Sequence, residues 1–242
     1  MNRAYHKWYS TELQRDMEIL VFGDRGAKVV FFPTRRAHFY DYENWEVIEA
    51  LRSQIESGFL HVFCVDSIDA ESFYSTVLMP DERILRHMQY EKYILNEVIP
   101  FANNQNQNPS IIVAGCSLGA YHALNIAFRH PNIFSKVVCM SGRYDLTKTV
   151  GSFLDLFYGY MDENIYTSMP SRFVPNMTDK EQIVAIQKLK IIFAIGQEDA
   201  FLSDNLQLSQ ALKAKKIDHE LIIWEGEAHK PEQWKTMVQL YF

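Results

Sequence analysis

The chain has 242 residues, 48% hydrophobic and 22% charged, with a formal net charge of −6. This is an ordinary globular mixture, and the length suits one α/β domain with a full core. The acidic balance leaves only Arg35-Arg36 and Lys213–Lys216 as short basic groupings, which argues against a nucleic-acid partner, and no uncharged apolar run approaches the roughly 18 residues of a membrane span.

Residues 5–10 and 16–23 read as two strands separated by polar Thr11–Arg15, with a turn at Asp24–Gly26. Lys28–Phe32 is an apolar strand ended by Pro33. Trp45, Val47, Ile48, Leu51 and Ile55 recur at helical spacing, so one amphipathic helix closing at Gly58 is expected. Leu60–Val65 is the next strand, and a single long helix is expected from about Asp81 to Phe101. The polar run Asn103–Asn108 reads as a surface loop. Ile111–Ala114 is a short apolar strand, followed by a helix bearing Leu118, Tyr121, Ala123, Leu124 and Ala127 and stopped by Pro131. Val137–Met140, Ile191–Ile195 and Leu221–Trp224 are strands; Leu206–Leu212 and Gln233–Tyr241 are helices. Strands alternate with helices from residue 28 onward, and the later strands are continuous apolar runs. The pattern predicts an α/β fold: a mostly parallel central sheet with helices on both faces and an antiparallel N-terminal edge. Residues 1–242 read as a single domain, with residues 146–178 inserted over the cleft.

Gly115-Cys116-Ser117-Leu118-Gly119 fits G-x-S-x-G, and it sits between a predicted strand and a predicted helix. That is the context of a nucleophile elbow, in which a strained turn projects a serine hydroxyl into a cleft. A serine needs a base to take its proton, and the base needs a group to orient it. Only His219 and His229 lie beyond residue 135. His219 follows Asp218 at a strand start and reads as a turn. His229 leaves the carboxyl end of the Leu221–Trp224 strand, where doubly wound sheets place function. The acid is expected in Gly196-Gln197-Glu198-Asp199, with Asp199 favoured and Glu198 and Asp204 as rivals. Ser117, Asp199 and His229 are therefore the candidate catalytic triad. Backbone N–H groups of Leu118 and of Thr34 or Arg35 are the candidate oxyanion donors. Phe39, Tyr40, Cys116, Phe157 and Tyr158 are the candidate substrate-binding residues. No H-E-x-x-H, paired C-x-x-C or P-loop is present, so no metal or cofactor is implied.

Cys64, Cys116 and Cys139 make an odd and sparse set, which suggests reduced thiols and a cytoplasmic protein. The first residues lack an apolar h-region, so no Sec signal is expected. No nucleic-acid or membrane partner is expected, and a homo-oligomer is compatible with the sequence.

The chain resembles the "Putative esterase" family of α/β-hydrolases, which holds esterase D-like enzymes, enterobactin and feruloyl esterases and mycolyltransferases. The resemblance runs through Ser10–Met17, Phe32-Pro33-Thr34, Phe39–Asn44, Val65–Asp69, Gly115–Ala120, Ser141–Asp145, Gly196–Asp199, Ala228-His229 and Trp234. It implies an α/β-hydrolase fold and a serine esterase with Ser117 as nucleophile, Asp199 as acid and His229 as base. Many relatives carry a histidine and a second glycine where this chain has Cys116 and Ala120. Arg35-Arg36 stands where small residues would be unsurprising. The expected function is hydrolysis of a small, short-acyl carboxylic ester through an acyl-serine. The alternatives are an acyltransferase using the same triad and a non-catalytic binding protein on a hydrolase scaffold.

Overall fold

The computed structural model describes residues 1–242. Eight strands form one sheet: β1 (Arg3–Ser10), β2 (Arg15–Phe22), β3 (Ala27–Phe32), β4 (Leu60–Val65), β5 (Ile111–Cys116), β6 (Lys136–Met140), β7 (Lys190–Gly196) and β8 (Glu220–Trp224). Their order is β1-β2-β4-β3-β5-β6-β7-β8. The β1–β2 and β2–β4 pairs are antiparallel and the rest are parallel. This is the α/β-hydrolase arrangement, with the antiparallel edge where the sequence places it.

Period-2 alternation divides the core between the two faces of the sheet. Val30, Phe32, Ile111 and Val113 enter one cluster; Val29, Phe31, Ile112, Ala114 and Cys116 enter the other. The first face is covered by α4 (Pro80–Tyr93), α5 (Ile99–Gln105), α6 (Leu118–Arg129) and α10 (Leu202–Ala214). The second is covered by α1 (Asp41–Asn44), α2 (Val47–Ala50), α3 (Arg52–Glu56) and the closing helix α11 (Pro231–Tyr241). All three cysteines are buried and unpaired. No helix is long and apolar enough to cross a membrane.

Two expected helices are broken. The helix expected over residues 45–57 is two short pieces, α2 and α3, parted at Leu51 (φ −92°, ψ 1°), and Glu46, left-handed at φ 59°, separates them from α1. The long helix over 81–101 contains a π-helical turn at Ile94–Val98. Pro100 has no N–H for the carbonyl one turn back, and its ring would crowd that carbonyl, so the wider turn ahead of it relieves the clash. Glu97 of that turn accepts from Trp8 Nε1 (2.8 Å), Ser10 Oγ (2.9 Å) and the Glu12 N–H (3.0 Å), tying down the β1–β2 hairpin.

The topology also locates a cleft. From β3 the chain steps outward to β4, then crosses back over β3 to β5. The order reverses at β3 and β5, and open α/β sheets bind ligands outside the carboxyl ends of strands at such a point. Three more short helices, α7 (Glu163–Thr167), α8 (Pro170–Asn176) and α9 (Lys180–Ile186), fill the long connection from β6 to β7.

Candidate active site

Ser117 follows β5 directly, at φ 55° and ψ −115°, a conformation that side chains rarely adopt. The two motif glycines have measurable reasons to be glycine. A Cβ on Gly115 would lie 2.2 Å from the carbonyl carbon of Gly119, and one on Gly119 would lie 2.3 Å from the carbonyl oxygen of Phe32. Only backbone without side chains lets β5 turn so sharply into α6, and lets α6 press on the end of β3. That pressure brings the loop after β3 beside the serine. The N–H groups of Thr34, Arg35 and Leu118 are not taken up by any acceptor in the protein. Leu118 opens α6, where a helix has no internal partner for its donors.

Asp199 lies just past the carboxyl end of β7, buried. Its Oδ1 accepts the Phe201 N–H at 2.9 Å, and its Oδ2 lies 2.8 Å from His229 Nδ1. The rivals are elsewhere: Glu198 is exposed, and Asp204 accepts from the Tyr144 N–H and the Ser171 hydroxyl, both at 2.6 Å. Burial raises the Asp204 carboxyl above its ordinary range. His219 is committed to a turn through Ser209 Oγ at 2.7 Å and the Ile217 carbonyl at 3.0 Å.

The His229 loop is fixed by backbone crowding and by one missed residue. A Cβ on Gly196 would lie 2.0 Å from the carbonyl oxygen of Glu227, so the acid loop and the histidine loop touch through their main chains. Ser141, just past β6, donates its hydroxyl to the Ala228 carbonyl at 3.1 Å and accepts Trp234 Nε1 at 3.2 Å. The preceding residue, Met140, accepts the Ser117 N–H at 2.8 Å. Consecutive residues at the end of β6 thus hold the serine turn and the histidine loop. The rings of Phe201 and Trp234 flank His229 at 5.9 and 5.8 Å. With Nδ1 engaged by Asp199, Nε2 is the ring nitrogen left for another partner. The Ser117 hydroxyl makes no hydrogen bond within the chain.

The walls differ from expectation. The cavity at Ser117 is lined by Arg35, Tyr74, Leu118, Arg143, Phe153 and Phe201. Of the candidate substrate-binding residues, none lines it. Phe39 packs against Tyr5 of β1, and Tyr40 stacks on His38. Cys116 points to the opposite face of the sheet, among the helices there, because its neighbour in the strand fixes the alternation. Phe157 is fully buried, edge-on to Phe73. Tyr158 is 72% exposed and lies over the Arg83 guanidinium, in an adjoining pocket. The chain order hid the actual lining. Phe201 comes two residues after Asp199, and Arg143 follows a strand end, so the strand-end rule reaches both; Tyr74 carries no such signal. Burial raises the Tyr74 hydroxyl and lowers the Arg143 guanidinium from their ordinary values.

Residues 33–235 match the family described as "Putative esterase". Among proteins of curated function no sequence matches. Among solved structures, a ferulic acid esterase superposes with TM-score 0.79 at 15% identity, covering 99% of this chain and 96% of that one. An S-formylglutathione hydrolase from Agrobacterium tumefaciens gives 0.75 at 15% identity, covering 99% and 92%. An S-formylglutathione hydrolase from Staphylococcus aureus gives 0.70 at 16%, covering 99% and 97%. At these identities the likeness speaks for the fold.

Proposed function

The chain belongs to the putative esterase family and is an esterase-type hydrolase, and from that premise we propose that it is a serine carboxylesterase working through an acyl-serine intermediate on small, short-acyl esters. The observation that carries this reading is the 2.8 Å pairing of His229 Nδ1 with buried Asp199, at strand ends beside a strained elbow serine. The carboxylate keeps the Nδ1 proton and orients the ring, so that Nε2 is the free base.

Ser117 Oγ attacks the ester carbonyl carbon while His229 Nε2 takes its proton. The carbonyl oxygen becomes an oxyanion, and the unspent N–H groups of Leu118 and of Thr34 or Arg35 are its donors. The tetrahedral adduct collapses, the C–O bond to the alcohol breaks, and Nε2 returns the proton to the leaving oxygen. Water, deprotonated by the same nitrogen, then attacks the acyl-serine; the bond from the acyl carbon to Ser117 Oγ breaks, Nε2 returns the proton to Oγ, and the acid is released. Three buried, unpaired thiols support a reducing, cytoplasmic setting. The short-acyl reading rests on the aromatic residues Phe153 and Phe201, which lie against the serine and leave little depth.

The test is chemical. A fluorophosphonate should add to Ser117, located by mass spectrometry, and kcat/KM for p-nitrophenyl esters should peak at about two to four acyl carbons and fall steeply by about eight. An adduct on another residue would refute the nucleophile, and a maximum at eight or more carbons would refute the short pocket.

A further inference from the structure

The chain has eleven arginines. Seven of them pair with carboxylates within 4.0 Å. The four without an acidic partner, Arg35, Arg36, Arg83 and Arg143, all line one pocket of about 230 Å³, and that pocket shares Arg35, Tyr74, Arg143 and Phe153 with the cavity at Ser117. In a chain of net charge −6, unpaired cations gathered in one place need a physical reason.

Two of the four are deeply buried. Arg143 is 4% exposed and Arg83 is 5% exposed. Arg143 spends one nitrogen, Nη2, on the carbonyls of Lys148 and Leu154, both at 2.8 Å. Its Nε is buried without a partner, and its Nη1 donates to nothing in the chain. Arg83 donates Nε to the Leu78 carbonyl at 3.0 Å and Nη1 to the Leu156 carbonyl at 2.9 Å. These bonds fix the forks, and an aromatic ring holds each guanidinium: Phe201 for Arg143, Tyr158 for Arg83, Phe153 for Arg35 and Tyr74 for Arg36. Neutral carbonyls and rings position a guanidinium without neutralising it. The nearby acids Asp145, Asp155 and Asp204 form an ion pair with none of the four arginines, although their charge still favours the Arg143 guanidinium. Asp155, on the pocket wall, accepts the N–H groups of Phe157 (2.8 Å) and Gly159 (2.6 Å). Asp145 pairs with Arg172 and Lys148, and Asp204 with Tyr144 and Ser171.

We propose that this pocket binds an anionic group, a carboxylate or a phosphate, carried by the ester whose carbonyl reaches Ser117. The inference rests on the esterase reading for its substrate, but the anion site itself does not. Planar guanidinium forks with unspent donors are matched to the paired oxygens of such groups.

Two substrate pairs place the charge on either side of the ester. Mono-p-nitrophenyl succinate against p-nitrophenyl butyrate puts a carboxylate on the acyl group; acetylglycerol phosphate against acetylglycerol puts a phosphate on the alcohol. In at least one pair the anionic ester should have a kcat/KM about 10–100-fold higher. The preference should shrink as salt is raised. It should fall to about twofold or less in Arg36→Gln, which alters an exposed side chain, and in Arg143→Gln, while Arg52→Gln, in a surface ion pair, should leave it unchanged. Separately, calorimetry on Ser117→Ala with succinate and with inorganic phosphate should detect binding that Arg36→Gln weakens. Active enzyme with no anionic preference and no binding would overturn the anion site and leave the esterase standing. A preference that survives both arginine substitutions would also overturn it. Anion binding without turnover of any ester would sustain the site and overturn the esterase.

Discussion

The floor of the cleft and its wall are built by different means, and their glycines separate them. Gly115, Gly119 and Gly196 lie under the serine, acid and histidine loops, and a Cβ at any of them would meet backbone at 2.0–2.3 Å. Gly151 and Gly159, in the wall between β6 and α7, have nothing within 4 Å of such a Cβ; they differ from other residues only in positive φ, 56° and 82°. The floor is thus specified by main chains pressed together, with no slack for a methyl group. The wall is specified by side chains, chiefly arginines and aromatic rings. The first kind of construction fixes a geometry, and the second can change its chemistry without moving the first.

The largest effects should come from the floor's proposed triad. Ser117→Ala and His229→Ala should each fold and lose kcat by about 10⁶-fold, equally because they act as one unit, while Asp199→Asn should lose roughly 10⁴-fold. Turnover of a p-nitrophenyl ester by the purified variants is the measurement; an unaffected Ser117→Ala would break the assignment, and a crippled Glu198→Gln beside an active Asp199→Asn would move the acid. Next in size is the crowding itself. Gly196→Ala must push the histidine loop away from the acid, costing about 1–3 kcal/mol of stability and, by displacing His229, on the order of 10²-fold in kcat. Gly151→Ala should cost only about 1–2 kcal/mol for its backbone conformation and leave kcat near wild type. Thermal unfolding and kinetics on the pair would erase the contrast if both changes behaved alike.

The smallest effect concerns Asp204, which ties the two regions by holding Tyr144 and Ser171. Its carboxyl is raised by burial, so the fold favours the neutral acid, and ionisation costs stability above the raised pKa. That cost is present near neutral pH and is relieved as pH falls toward the ordinary carboxylate range. Relative to wild type, Asp204→Asn should therefore be most stable near pH 7 and lose that advantage toward pH 4. Melting temperatures across this range would contradict the idea if the difference were flat or grew on acidification.

Much of the floor was legible because its causes are local. A continuous apolar run reads as a strand, and every strand from β3 to β8 announced itself in this way, although β8, at the sheet edge, is only partly buried. G-x-S-x-G is legible because the steric demand recurs at fixed spacing. The lining was not legible, because it depends on distant partners. Phe39 looked like a wall residue after β3, but Tyr5 on the sheet edge captures it. Phe157 looked available, but Phe73 and its neighbours bury it. The loop of Arg35-Arg36 was expected beside the serine from its place after β3, but the rings of Phe153 and Tyr74 that hold the two guanidinium groups come from distant segments. The turn at Leu51 and the π turn before Pro100 broke two helices for backbone reasons that apolar spacing does not encode.

Cys116 and Ser117 are consecutive, yet the strand's alternation sends one side chain into the core and the other toward the cleft. Burial pushes the Cys116 thiol up, and likewise those of Cys64 and Cys139, the last to about 12. Thiolate is the species that attacks electrophiles, so in the closed fold these sulfurs are chemically silent. They gain reactivity only when the sheet parts locally. The chain therefore contains its own clock: the rate at which a maleimide consumes Cys116 measures how often β5 breathes, one residue away from the group that serine-directed reagents would time.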